Sequence, residues 1–350
     1  MYEERTEIDH SVDSFHLYDE ILQGNGISYQ DLKAMSEEDQ NLMLGGLYSS
    51  KAQLTTTGND LAWQNIQYHL ENKMREYNFR HANKFEERPA EENLFEQGKE
   101  LFRTGEVNEA ILAFEAAVKR DNDIGEAWHM LGLCHCELDD DKVAIECFKR
   151  AVDIDPYNID ALRDLGTSYV NELNSIRALE SLKAWLTHNP RYAGLNLSVD
   201  VHGDGSLMDE VLHMITEAQF FAPDDADVLT VLGVLCNVSM DFECAADCFQ
   251  RALELRPNDY SLLNKLGATL ANANKSPKAI PYYAKALELR PNYARGWLNL
   301  GIAYANVNQN KESAMAYLQA LRLSPNAKYF ANFHSLYIIS CLGTFGDTFA

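Results

Sequence analysis

The chain has 350 residues, 46% of them hydrophobic, and its 30 Lys and Arg stand against 53 Asp and Glu for a formal net charge of −23. This apolar mass suffices for one large core or two ordinary ones and excludes a wholly disordered chain. The acidic balance excludes a nucleic-acid backbone as partner, because phosphates must be met by many Lys and Arg. The charge is also uneven: residues 1–259 carry 50 acids and 21 bases, whereas residues 260–350 carry 3 and 9.

The start, Met1-Tyr-Glu-Glu-Arg, has neither the basic nor the apolar stretch of a secretory signal. No apolar run approaches the roughly 20 residues of a membrane span, so a soluble, cytoplasmic chain is expected. Residues 1–60 are acidic and polar without a sustained period and read as a disordered N-terminal region. Residues 61–90 follow as a lead-in helix and linker. Leu61, Trp63, Ile66, Leu70 and Met74 keep a helical period through residue 78, either as a recognition helix or simply as the way into the fold.

From there a 34-residue step takes over. Trp128-x-x-Leu131-Gly132, with Ala144, Phe148, Ala151 and Pro156, recurs as Leu162-x-x-Leu165-Gly166 with Tyr169, Ala178, Leu182, Trp185 and Pro190. One step upstream stand Leu94, Gly98, Leu101, Ala110, Phe114 and Ala117. Downstream come Leu229, Leu232, Gly233, Ala245, Phe249, Ala252 and Pro257; then Leu263, Leu266, Gly267, Ala279, Tyr283, Ala286 and Pro291; then Trp297, Leu300, Gly301, Tyr304, Tyr317, Ala320 and Pro325. This is the spacing of the tetratricopeptide repeat, a helical hairpin with W-x-x-L-G-x-x-Y on its first helix and A-x-x-x-F-x-x-A on its second. Glycine and alanine let the two helices approach, the large residues fill the space between hairpins, and proline stops the second helix. One hairpin cannot bury its own apolar face, so an all-α superhelix of stacked hairpins with a concave groove is predicted.

Three repeats occupy residues 91–192 and three more, the fifth to seventh, residues 226–327. Between them, residues 193–225 break the pattern: a turn-rich tract from Asn196 to Gly205 precedes an amphipathic run from Leu207 to Phe221. This degenerate fourth repeat is either a hinge between two triplets or an ordinary surface insertion. After it, residues 328–350 form the tail, with Ala331 to Leu342 as one apolar capping helix. The seven cysteines all lie from Cys134 onward, inside apolar helical patterns, so packed thiols are expected and not disulfides. Cys134-His135-Cys136 with His129 lacks the two ligand pairs of a zinc site. Cys147 and Cys248 share one register position, which favours packing.

The groove-lining stripe of the first helices, at the 3.6-residue period, reads Glu137, then Asn171, then Asn237, then Asn264, Lys265 and Asn272, then Arg295, Asn299 and Asn306. Six asparagines there are costly for helices and suit an extended peptide, because an amide pairs with a backbone N–H and C=O together. Lys265 and Arg295, in the basic section, add the charge for a free C-terminal carboxylate, each charged hydrogen bond contributing about 1.5–3 kcal/mol. Glu137 with Asp139, Asp140 and Asp141 would meet a basic side chain upstream of that terminus.

Asn264-Lys-Leu-Gly-Ala-Thr-Leu-Ala-Asn272-Ala-Asn and Arg295-Gly-Trp-Leu-Asn299-Leu-Gly-Ile-Ala-Tyr-Ala-Asn306 resemble the last two repeats of the peroxisomal targeting signal receptor family, peroxin-5. The resemblance spans roughly residues 77–325, including Tyr77-Asn-Phe79 and Asn83-Lys-Phe85. It implies an import receptor for cargo ending in a Ser-Lys-Leu-type tripeptide, cycling between the cytoplasm and docking peroxins at the peroxisomal membrane. It also implies peptide contact at Asn171, Asn237, Asn264, Asn272, Arg295, Asn299 and Asn306, with Lys265 near the carboxylate and Glu137 facing the signal's basic residue. In that family the fourth repeat is the hinge. Its W-x-x-x-F/Y docking pentapeptides have no match here: Gln67 stands at the aromatic position after Trp63, and no Cys precedes Cys134.

Two other adaptor readings rank lower. A clamp for a tail ending in Glu-Glu-Val-Asp needs Lys and Arg in the first three repeats, which are acidic. The neuronal relative of the receptor, which binds channel subunits, carries His where this chain has Asn237 and Arg where it has Lys265. An enzyme is not expected, since no phosphate loop, nucleophile elbow or metal ligand pair is found. No cofactor is expected, and His129, His135, His188, His202 and His213 lack placed carboxylate partners in sequence.

Overall fold

Short polar residues set the helix starts. In the computed structural model, which describes residues 77–193, 195 and 206–324, Asn93 caps the first helix, α1 (Leu94–Thr104), by accepting from the Glu96 N–H. It pairs with α2 (Val107–Arg120). The second hairpin is α3 (Gly125–Glu137) and α4 (Asp141–Ile154), the latter capped by Asp140. The third is α5 (Ile159–Asn171) and α6 (Ser175–His188), capped by Asn158 and Asn174. A single helix, α7 (Leu207–Phe221), follows behind the Ser206 cap. Then come α8 (Ala226–Val238) and α9 (Phe242–Leu255), capped by Asp225 and Asp241, and α10 (Tyr260–Asn272), capped by Asp259. The last three, α11 (Ser276–Leu289), α12 (Ala294–Asn306) and α13 (Asn310–Leu323), have no side-chain cap. Four of the acids before residue 260 thus accept orphan N–H groups at helix starts. The described residues contain no strand, and the architecture is the all-α tetratricopeptide superhelix.

Within each hairpin the glycine of the first helix is a contact surface. A Cβ at Gly267 would stand 2.6 Å from Tyr283, and one at Gly301 2.6 Å from Tyr317. The large side chain at that register of each second helix, Leu182 in the third repeat and an aromatic in the others, therefore rests directly on backbone. The turn joining the two helices needs one left-handed residue. It is Gly105 in the first repeat (φ 88°), then Asp139, Leu173, Met240, Asn274 and Asn308, all with φ between 58° and 63°. Leu173 gains nothing in exchange, being 90% exposed. Leu173→Gly is expected to stabilise the chain by about 0.5–1 kcal/mol, the relief of a left-handed side chain less the added chain entropy. A higher urea midpoint would show it.

The largest apolar cluster runs from the third repeat into the sixth. Leu182, Trp185 and Leu186 of α6, Val211, Met214 and Ile215 of α7, and Val228, Leu229 and Leu232 of α8 share it. The fourth repeat therefore contributes one helix that is packed on both neighbours, while residues 196–205 lie outside the described residues. So do residues 1–76, with most of the expected lead-in helix, and the capping helix expected at 331–342. Tyr77 and Asn78 are not helical. Tyr77 and Phe79 pack edge-on against Trp128, and Asn83 Nδ2 donates to the Leu112 carbonyl at 2.7 Å, so this segment is laid over the first two repeats.

The far end of the array returns to its beginning. Ala294 of α12 is buried in the core of the first two repeats, and Leu323 packs against it. Asn108 Nδ2 donates to the Leu323 carbonyl at 3.0 Å, and Asn292 Nδ2 to the Gly105 carbonyl at 3.2 Å.

Candidate functional site

Most of the groove asparagines lie within hydrogen-bond distance of a polar residue of the neighbouring repeat. Asn237 Nδ2 lies 3.0 Å from Thr269 Oγ1 one repeat on. Buried Asn264 accepts from Asn299 Nδ2 at 3.0 Å, and Asn306 Nδ2 donates to Ser276 Oγ at 3.1 Å. Asn171 donates to both oxygens of Asp141 at 3.2 Å. Asn272, seven residues beyond Lys265 and so on the same face of α10, is exposed and has no side-chain partner among the described residues.

The two groove cations differ. Arg295 is already neutralised: Nη2 lies 2.5 Å from Asp141 Oδ2, Nε lies 3.3 Å from Asp139 Oδ1, and Nε also donates to the Cys136 carbonyl at 2.8 Å. Burial opposes its charge, and these two acids hold it charged nonetheless. The Lys265 ammonium instead donates to a hydroxyl, Ser261 Oγ at 2.8 Å, and has no carboxylate within ion-pair distance among the described residues. Burial pulls its pKa down, against weak support from the more distant Asp259 and Asp164. It is the one member of the set that still asks for an anion.

Glu137 departs from its expected place. It does not face open groove: it is 4% exposed, and its carboxylate takes a bidentate pair with Arg290 (3.1 and 3.0 Å) and a hydrogen bond from Tyr260 Oη at 2.5 Å. The Arg290 guanidinium also lies over the Phe102 and Tyr260 rings and donates to the Arg103 carbonyl. Burial raises the Glu137 pKa, with Arg290 and Tyr260 opposing. This clasp, with Arg295 on Asp141, is what ties the second repeat to the sixth and seventh.

A second chain of charges escaped the sequence reading. His129 Nε2 is 2.9 Å from Asp164 Oδ2, correcting the view that this histidine has no carboxylate. Arg163 pairs with Asp164 at 3.2 Å and with Asp227 at 3.1 Å, and Asp227 in turn pairs with Arg256 at 2.8 Å. Asp164 is desolvated, yet Arg163 and His129 hold it far below the usual carboxylate range. His129 and Asp164 sit 35 positions apart, one repeat plus one residue, so the 34-residue register was the signal that could have paired them.

The tetratricopeptide repeat family matches residues 95–159, 239–294 and 264–328. Among curated proteins, the chain is 36% identical to the peroxisomal targeting signal receptor of Yarrowia lipolytica over 261 residues, 70% of this chain and 43% of that one. It is 43% identical to peroxisome biogenesis protein 5 of Arabidopsis thaliana over 154 residues, 44% of this chain and 21% of that one. It is also 36% identical to the PEX5-related protein of Mus musculus over 213 residues, 57% of this chain and 37% of that one. The match thus spans less than half the length of each of these relatives. The repeats have the tetratricopeptide fold, and over them the chain is similar in sequence to peroxisomal targeting signal receptors.

Proposed function

We propose that the chain is a receptor that holds the C-terminal Ser-Lys-Leu-type signal of cargo proteins in its groove and delivers them for import into the peroxisomal matrix. The observation that carries this reading is Lys265: a part-buried ammonium on the first helix of the sixth repeat, with a hydroxyl beside it and no carboxylate within ion-pair distance among the described residues. A ligand's terminal carboxylate supplies the missing charge, and Asn272 offers its unpaired amide to the peptide backbone two turns along α10. Asn171, Asn237, Asn264, Asn299 and Asn306 line the peptide's course by exchanging their present side-chain partners for it. Arg295 serves the site by fixing Asp141 and Asp139, and Glu137 by closing the clasp with Arg290. In this reading residues 193–225 are the hinge about which the two triplets part to admit the peptide. The receptor role is supported by the name of the Yarrowia lipolytica relative, a peroxisomal targeting signal receptor, and docking at the peroxisomal membrane and return to the cytoplasm are further parts of the proposal.

Lys265→Gln and Asn272→Ala are each expected to weaken binding of a labelled Ser-Lys-Leu peptide about tenfold or more, the loss of about 1.4 kcal/mol or more, with helix content by circular dichroism unchanged. Wild-type affinity in both variants would remove the groove assignment. A peptide ending as the channel-subunit clients of the neuronal relative do, bound more tightly than Ser-Lys-Leu, would move the chain to that adaptor class.

A further inference from the structure

The fifth repeat holds a chemistry that peptide capture does not use. Cys236 lies near the end of α8, and Cys244 and Cys248 stand one turn apart on α9, so that their three Sγ atoms lie within 4.8 Å of one another. No disulfide joins them; Cys236 and Cys248 are buried, and Cys244 is half-buried and gives the cluster its opening to solvent. Among the described residues no other group of three potential ligand side chains converges in this way. We propose that this cluster binds a soft, thiophilic metal ion in a three-sulfur trigonal set, best matched by monovalent copper.

The donor set argues for that ion. Three thiols with no imidazole or carboxylate in the ligand group select a soft cation over a hard one. A closed tetrahedral zinc site needs a fourth protein ligand, which the cluster does not offer. Three sulfurs at about 2.3 Å from one metal stand about 4 Å apart, so the present arrangement closes on an ion by moving each pair less than about 1 Å. Cys147 occupies the register position of Cys248, yet it is not part of such a group; the cluster is particular to the fifth repeat. Arg251 is the cation beside Cys248, while Asp241 and Asp247 are the nearby acids that favour approach of a metal cation. In binding, three thiols release three protons to solvent and three sulfur lone pairs form three copper–sulfur bonds; no electron changes hands. Because Cys236 immediately precedes Asn237, the metal would pin the end of α8 that presents a groove amide.

The test is a titration of the reduced full-length chain, under argon, with monovalent copper buffered by the chromophoric chelator bicinchoninate. The chain is expected to withdraw one copper per molecule, with three sulfurs at about 2.3 Å by X-ray absorption. Cys244→Ser and Cys244→Ala are expected to weaken uptake about a hundredfold with unchanged helix content, while Cys136→Ser, a part-exposed thiol outside the cluster, leaves it intact. Equal uptake in both Cys244 variants, no uptake by the wild type, or nitrogen and oxygen ligands at the metal would overturn the proposal.

Discussion

Arg290→Ala is expected to lower the stability of the chain by about 3–5 kcal/mol in urea denaturation at pH 7.5. The arginine is the only cation on Glu137 among the described residues, both side chains are under a tenth exposed, and the pair links positions 153 apart in sequence. Removing it leaves a carboxylate buried with Tyr260 as its remaining partner, a loss that desolvation makes larger than the pair's own net worth. The pH dependence has a definite sign. Burial has raised the Glu137 pKa in the folded state, so its protonated form favours folding, and that contribution is lost as pH rises through the folded value. The deficit of Arg290→Ala relative to wild type is therefore larger at pH 7.5 than at pH 5. The paired replacement Glu137→Leu with Arg290→Met is expected to recover most of the loss, since well-packed apolar residues substitute for a buried ion pair. A deficit under about 1 kcal/mol in the single variant would mean that the second and sixth repeats are not clasped in solution.

His135 is expected to make the fold acid-sensitive. It is buried on α3, where desolvation, helped by the Arg80 charge, drives its pKa down to about 3 from the ordinary 6.5. Tyr77 Oη donates to Glu115 Oε1 at 2.8 Å and lies 3.0 Å from His135 Nε2, so Nε2 carries the proton and donates to the phenol oxygen. A group with a depressed folded pKa lends stability above its unfolded value and loses it as pH falls toward the folded one. The window is therefore about pH 6.5 down to about 3, with a slope of up to about 1.4 kcal/mol per unit, or about 2 kcal/mol lost between pH 7 and pH 5. His135→Gln, measured by urea midpoints over that interval, is expected to flatten the profile relative to wild type. Parallel profiles would show that the imidazole is not held neutral by the fold. Tyr77 belongs to the linker ahead of the first repeat, so the acid response reports how firmly that segment is seated.

The repeat register was written in the sequence because packing made it periodic. Gly267 against Tyr283, and the matching glycine and large side chain at each step, must recur wherever the two helices of a hairpin meet, and so must the left-handed turn residue from Gly105 to Asn308. The 67-residue interval from Leu173 to Met240 is one residue short of two steps, so the break slips the register by one and the 34-residue step resumes after it. What joins distant repeats has no period. Glu137 with Arg290, and Arg295 with Asp141, follow from how far the superhelix turns over five hairpins, a sum of small rotations that no single residue encodes. Hence the places of the stripe on the first helices could be read from the sequence, while what each of its residues touches could not. Arg295 and Lys265 look alike in sequence, and only the return of α12 to α3 makes one a structural cation and leaves the other without an anion.

That distinction leads to one measurement. Fluorescence anisotropy with a labelled peptide ending in Ser-Lys-Leu as the free acid, beside the same peptide amidated, asks whether the groove reads a terminal carboxylate. With Lys265 lacking an anion, the acid is expected to bind and the amide to bind at least about tenfold more weakly, a gap that narrows in Lys265→Gln. Equal binding of the two peptides, or binding of neither, would contradict carboxylate capture.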